Sequence, residues 1–285
     1  MPAPIIKAAT TSTRHRLEQA GIYAVLMLFA AYSAFPFLWT FLTSIKQPID
    51  AFATPPVWFF RPTLAHYHSL WVEAGFVKFF VNSLIVTAGT VVVSVAIGAV
   101  AGYALARYDG LLGFWLLMVA LVFRALPPMA ILLPFYQLSR LLGLYDTHIL
   151  LILVLVSINQ PFTIWMMRSF FMTIPKDLEE AAMVDGCSRL QAFLRAIVPV
   201  MWPGVITASL FTFLLAYNEF LMPLILTATK AETMPVAIAA FGAEDIRYWS
   251  ISAAGAISVT LPIVVLILLF QKRIVGGLTQ GAVKG

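Results

Sequence analysis

Charge is what this sequence has least of. Lys, Arg, Asp and Glu together make up 11% of its 285 residues, where an ordinary soluble domain carries about 25%. So little polar surface cannot cover a soluble globule of this size. A water-soluble enzyme is therefore excluded, and so are a disordered chain, a coiled coil and a collagen. Cysteine is almost absent. Cys187 is the single one, which excludes a disulfide framework and an all-cysteine metal site. His15, His66, His68 and His148 have no metal-ligand spacing with acids or with that thiol, and they read as loop residues. No Gly-rich phosphate loop ending in Lys-Ser or Lys-Thr occurs, so the chain is not expected to hydrolyse ATP by itself. The net charge of +5 is spread too thinly to make a basic stripe for nucleic acid.

What is present is apolar. Hydrophobic residues make up 61% of the chain, gathered into six long runs at about 21–42, 79–104, 112–133, 148–167, 203–226 and 250–270. About 20 apolar residues in a helix cross a bilayer. Membrane strands would alternate over about ten residues, and these runs do not. The expectation is an all-α integral membrane protein with six transmembrane helices. The first run is longer than a signal peptide's apolar region and ends in no clear cleavage site, so it is kept as a span.

Basic residues bias orientation toward the cytoplasm. With the N-terminus inside, the inner segments hold Lys7, Arg14, Arg16, Arg107, Arg168, Lys176, Arg189, Arg195, Lys272, Arg273 and Lys284. The outer ones hold Lys46, Arg61, Lys78, Arg140, Lys230 and Arg247. Both termini are then cytoplasmic. The expected organisation is a cytoplasmic tail (1–20), a first span with an outer loop (21–77), a core (78–271) containing an inner loop (168–203), and a cytoplasmic tail (272–285). The outer loop carries Pro55, Pro56, Trp58, Phe59, Phe60 and Trp71, which suit the membrane–water interface. Gly98 and Gly102 form a small-xxx-small pair that lets helices approach closely.

The inner loop does not have a loop's composition. Pro175, Asp177, Glu179 and Glu180 suit a helix first turn, and Ala181, Ala182 and Met183 continue it. Gly186 can take the left-handed conformation that ends a helix. Ser188-Arg-Leu-Gln191 reads as a capping box, followed by Leu190, Phe193, Leu194 and Ile197 on one face of a second helix. The product is a rigid knob, either lying on lipid headgroups or docking a cytoplasmic partner. The acids of the first helix favour the partner.

Glu180-Ala-Ala-Met-Val-Asp-Gly186, with Pro199 thirteen residues after the glycine, resembles the EAA signature of ABC importer permeases. The departures are mild: Ala196 and Val198 stand in the Ile and Leu slots, and Cys187 follows the glycine. Asn82-Ser-Leu84, Gly102-Tyr-Ala-Leu-Ala-Arg107, Tyr217-Asn-Glu-Phe-Leu-Met-Pro223 and the 277–285 tail are similar to the MalG-like carbohydrate branch. The resemblance covers about residues 78–285 and, more loosely, the first span. It implies a type I ABC importer transmembrane fold in a bacterial inner membrane. It also implies a second permease, two ATPase subunits that carry the ATP and magnesium, and an extracytoplasmic sugar-binding protein. Glu180, Ala181, Ala182, Asp185, Gly186 and Pro199 would serve ATPase coupling.

Ionisable residues within spans usually face a bundle interior or a wet cavity. Arg124 and Glu219 are the two here, at expected depths about 6 Å apart. They are expected either to pair structurally or to line a path with Asn159, Tyr217 and Asn218; Asn82 and Gln160 are further polar groups of this kind. Pro36, Pro127, Pro128, Pro161, Pro223 and Pro262 are kink or hinge positions. The rival readings are an ion-coupled secondary transporter and a structural scaffold subunit. The first needs a chain of intramembrane carboxylates, and only Glu219 is present.

Overall fold

The computed structural model describes residues 8–108, 110–244 and 248–279. Lys7, Arg247, Lys284 and the end of the 277–285 motif lie outside the described residues. Among those residues all regular structure is helical. The helices are α1 (Ala8–Ser44), α2 (Pro48–Ala51), α3 (Ala65–His68), α4 (Val77–Arg107), α5 (Leu111–Arg124), α6 (Pro128–Leu141), α7 (His148–Phe171), α8 (Asp177–Val184), α9 (Arg189–Ala192), α10 (Val198–Val200), α11 (Trp202–Tyr217), α12 (Leu221–Leu226), α13 (Met234–Glu244) and α14 (Trp249–Thr279). A π-helical turn follows α3 at Ser69–Glu73, and another joins α9 to α10 at Phe193–Ile197.

Among the described residues, four helical stretches are long and apolar enough to cross a membrane: Glu18–Ser44, Val77–Arg107, His148–Phe171 and Trp249–Gln271. Two bent pairs raise the number to six if each is one span. One pair is α5 with α6, bent by 90°; the other is Arg189–Val200 with α11, bent by 78°. The expected third run at 112–133 is therefore not one straight helix. Pro127 is extended at φ −54° and ψ 127°, because the proline after it disfavours helical geometry. The run expected at 203–226 also divides. α11 stops at Tyr217 and α12 begins at Leu221. Pro223 has no N–H and its ring would clash with the carbonyl four residues back, so it fits only a new first turn. α1 differs in the other direction, starting at Ala8 and not near residue 21.

α4 packs most extensively on α7, and α11 lies against both; α14 holds α1 and α13. Within a membrane, close packing and polar contacts replace the hydrophobic drive. Gly98 and Gly102 supply the closeness. A Cβ on Gly98 would lie 2.8 Å from Thr163 Cγ2, and one on Gly102 would lie 2.7 Å from Met167 Cβ. The polar contacts are Thr163 Oγ1 to Thr212 Oγ1 at 3.1 Å and Gln160 Nε2 donating to the Ser94 carbonyl. α1 is different. From Ile22 to Leu38 its apolar side chains are exposed, and it becomes buried only near Thr43, Ser44 and Lys46.

The 46–78 segment divides its aromatics. Phe59 and Trp58 are exposed, as an interfacial role expects. Trp71 is instead packed edge-on against Phe76 and Phe80, and its indole donates to Ser258 Oγ. Lys46 is buried, with its ammonium 4.9 Å from the Trp39 ring and 5.0 Å from the Phe60 ring. Two histidines expected in loops have structural partners. His66 is buried in α3, with Nε2 at 2.9 Å from the Lys46 carbonyl. His148 opens α7 and lies 2.7 Å from Asn82 Oδ1. His15 stands within α1.

Candidate functional site

The EAA-like segment forms an exposed helical hairpin. α8 carries Asp177, Glu179 and Glu180 in its first turn, where acids oppose the positive end of the helix dipole. Its end is a Schellman motif: Cys187 N donates to the Ala182 carbonyl and Gly186 N to the Met183 carbonyl. Gly186 has φ +90°, a region closed to most side chains. Ser188 then opens α9 with a complete capping box, its hydroxyl accepting from Gln191 N and the Gln191 side chain accepting from Ser188 N. Glu180, Ala181, Asp185 and Gly186 are exposed, Ala182 is half-buried and Pro199 lies in α10.

The second helix departs from expectation. Phe193 and Ile197 are buried, whereas Leu190 and Leu194 are exposed. The π turn at Phe193–Ile197 adds a residue to one turn and rotates the apolar positions off a single face. Phe193 and Ile197 pack with Met167, Phe171 and Met201, which seats the hairpin on the end of α7.

A contact that single-sequence reading missed fixes α8 to α4. Arg107, the last residue of α4, donates from Nε to Glu179 Oε2 at 2.9 Å, with the two side chains only 15% and 13% exposed. Its Nη1 reaches the Phe171 and Ile174 carbonyls, both at 3.3 Å. The clue was present, since Arg107 ends the Gly102–Arg107 motif and Glu179 precedes the EAA glutamate. Nothing in one sequence pairs them.

The expected path residues do not form one cluster. Arg124 Nη1 donates to the Ile158 carbonyl and to Asn159 Oδ1 at 2.9 and 3.0 Å, and its guanidinium lies 5.6 Å from the Phe162 ring. Phe162 in turn meets Trp165 and Phe211. Glu219 makes no direct hydrogen bond to that cluster, although its charge acts on the Arg124 guanidinium. Its Oε1 accepts from the backbone of Leu221 and Met222, so it caps α12, and no ion pair joins it to Arg124 among the described residues. Tyr217 faces away from that cluster's rings and into the packing. It is 2% exposed, stacked on Phe213, with its hydroxyl on Met234 sulfur, so it packs the core. Asn218 is exposed and donates to the Leu214 carbonyl. The sequence signal that separates these residues is Pro223, which places Glu219 in a helix break.

The far end of α4 carries a second polar junction. Asn82 Nδ2 donates to the Lys230 and Glu232 carbonyls. Its Oδ1 is thereby the acceptor for His148 Nε2. Ser83 Oγ accepts from Met234 N. Asp146, at φ +59°, gathers the backbone N–H groups of Ala228, Thr229, Lys230 and Ala231. Burial pushes the Asp146 carboxyl up, but those four donors outweigh it and hold its pKa well below the usual carboxylate range.

No three His, Cys, Asp or Glu side chains come together to hold a metal among the described residues. The structure is similar to one chain of a bacterial ABC transporter that imports the acidic polysaccharide alginate. That match has a TM-score of 0.72 at 21% identity and covers 95% of this chain and 99% of that one. In sequence, the chain is 40% identical to the trehalose transport system permease protein SugB of Mycobacterium tuberculosis, over 94% of this chain and 99% of that protein. It is 38% identical to the probable ABC transporter permease protein y4oR of Sinorhizobium fredii, over 98% of this chain and 99% of that protein. Residues 94–280 match the family described as binding-protein-dependent transport system inner membrane component. With its apolar helical core and exposed acidic hairpin, the chain belongs to that family of ABC transporter permeases.

Proposed function

We propose that this permease is one half of the membrane pathway of a bacterial, binding-protein-dependent sugar importer. It crosses the inner membrane six times, with α5–α6 counted as one span, α11–α12 as another, and both termini in the cytoplasm. Residues 1–20 and 272–285 are cytoplasmic tails, 21–77 hold the first span and an outer loop, and 78–271 form the core. A second permease completes the pathway, two ATPase subunits bind ATP and magnesium, and an extracytoplasmic sugar-binding protein delivers substrate. This chain itself performs no chemistry.

The observation that carries the reading is the α8 hairpin. It is an acidic helix closed by Gly186 and a capping box, standing out from the bundle with Glu180 and Asp185 exposed. Such a rigid knob suits a basic cleft on an ATPase. Glu180, Ala181, Ala182, Asp185 and Gly186 enter it, while Pro199 ends the supporting turn. ATP-driven closure of the ATPase dimer then moves the hairpin, and a two-state bundle opens its cavity to alternate sides.

The sugar assignment draws on the named substrates of relatives such as the trehalose permease. It draws also on Arg124 beside Phe162, Trp165 and Phe211, with buried Asn159 holding the guanidinium in place. Rings and hydrogen-bonding groups side by side suit a polyol with apolar ring faces. Asn218 and Glu219 border the passage further along, and Tyr217 supports it from behind.

The test is purification of the complex followed by ATP-dependent sugar uptake in vesicles with the binding protein. Reporter fusions at Thr63 and Ala231 are expected outside, and at Asp177 and Lys284 inside. A chain that purifies without an ATPase, or a cytoplasmic reporter at Ala231, overturns the reading.

A further inference from the structure

The adjacent glutamates of α8 face different ways. Glu180 is exposed, whereas Glu179 is turned inward onto Arg107. The guanidinium of Arg107 touches three elements at once. It belongs to the last turn of α4, it donates to the α8 carboxylate, and it closes the Phe171 and Ile174 carbonyls at the end of α7. Carbonyls at a helix C-terminus lack intrahelical donors; Phe171 O also accepts from Ile174 N at 3.2 Å, and the arginine adds a charged donor that stabilises that end. Its third nitrogen, Nη2, is buried there without a hydrogen-bond partner.

α8 rests mainly on α9 and the π turn, and these are short pieces. α4, by contrast, is the long helix that lies against both α7 and α11. A planar fork held in fixed geometry resists displacement better than a flexible ammonium, and the pair is largely shielded from water, where salt screens little.

We infer that Arg107 and Glu179 form a tie between the docking hairpin and α4, so that displacement of α8 is carried into the span at the centre of the bundle. The inference rests on the proposed function. Both are positioning residues, argued to act through the α8 hairpin. Division of labour follows: Glu180 engages the ATPase, and Glu179 passes the movement on.

The test uses the assembled transporter with its binding protein in vesicles, reading sugar moved per ATP hydrolysed. Arg107→Ala and Glu179→Ala are expected to lower that ratio at least tenfold while the ATPase still co-purifies. Arg107→Lys, which keeps charge but loses the fork, is expected to fall between. A second variant, Arg107→Cys with Glu179→Cys in a Cys187→Ser background, is expected to be uncoupled until a short bis-maleimide bridges the two thiols, and then to regain most of the ratio.

An unchanged ratio in both alanine variants overturns the inference. So does loss of the ATPase from them, which makes the pair a folding element only, and so does a bridged protein that stays uncoupled. A wild-type complex without an ATPase is a different failure, that of the proposed function.

Discussion

Replacement of Gly186 separates backbone strain from packing unusually well. A Cβ at this position meets nothing within 4 Å, so a side chain causes no collision with the rest of the protein. The whole penalty comes from φ +90°. An alanine in left-handed backbone costs about 1–2 kcal/mol, and a β-branched valine is at the upper end of strained backbone, about 2–3 kcal/mol. Asparagine visits that region more readily and should cost least. At about 1.4 kcal/mol per tenfold, Gly186→Val shifts the balance from the Schellman turn to a rewound hairpin by roughly 30- to 140-fold. α8 contributes no buried residue of its own, so this penalty falls on the direction of the hairpin and not on the bundle. Membrane insertion and yield should therefore be preserved, while sugar uptake and transport-stimulated ATP hydrolysis suffer most in the valine variant, less in alanine and least in asparagine. Normal uptake in Gly186→Val refutes the reasoning, and so does an asparagine variant as defective as the valine one.

Three further outcomes are expected. Gly102→Leu forces side-chain atoms into Met167 and the Arg168 backbone, and overpacking of this kind costs about 1–3 kcal/mol; a thermal midpoint in detergent equal to wild type contradicts the close approach. Asp146→Ala removes the acceptor of four backbone N–H groups, a loss of about 2 kcal/mol, which should open the 227–233 segment to added protease. Because the native carboxyl is held below its unfolded value, its contribution is fully present above the ordinary aspartate range near pH 4. It is lost as pH falls through the lower native pKa, so protection that declines between pH 8 and pH 6 contradicts the argument. Arg124→Met should reduce uptake more than Glu219→Gln, because Arg124 bridges to α7 whereas the amide introduced by Glu219→Gln still offers a carbonyl oxygen to Leu221 and Met222; equal damage sinks the separation of the two.

Much of the fold was legible in single residues. Run length identified the long helices, Gly186 and Ser188-Arg-Leu-Gln191 announced their turn and cap, and Gly98 and Gly102 announced a close crossing. These signals are local, or lie on one helix, and a single sequence displays them. Apolar runs alone did not reveal that Pro127 and Pro223 divide two of the runs, since a proline in a span can equally be tolerated. The path residues were read by type and depth, which cannot tell the buried Tyr217 from the half-buried Arg124. The ties Arg107–Glu179 and Asn82–Lys230 join residues far apart in sequence, and pairing of that kind leaves no local pattern.

The Asn82 junction also dictates an order of events during synthesis. Its carbonyl partners stand 148 and 150 residues further along the chain, well beyond the end of α7 at Phe171. α4 can meet α7 as soon as α7 is made. At about 5–20 residues added each second, the amide of Asn82 and the hydroxyl of Ser83 must then wait roughly 3–12 seconds more for residues 230–234 to arrive. Through that interval the helix pair is joined at that end by Asn82 and His148 alone, and the tie to residues 230–234 closes only when most of the protein exists. A chain interrupted between α7 and α13 would carry these unmet donors and acceptors permanently.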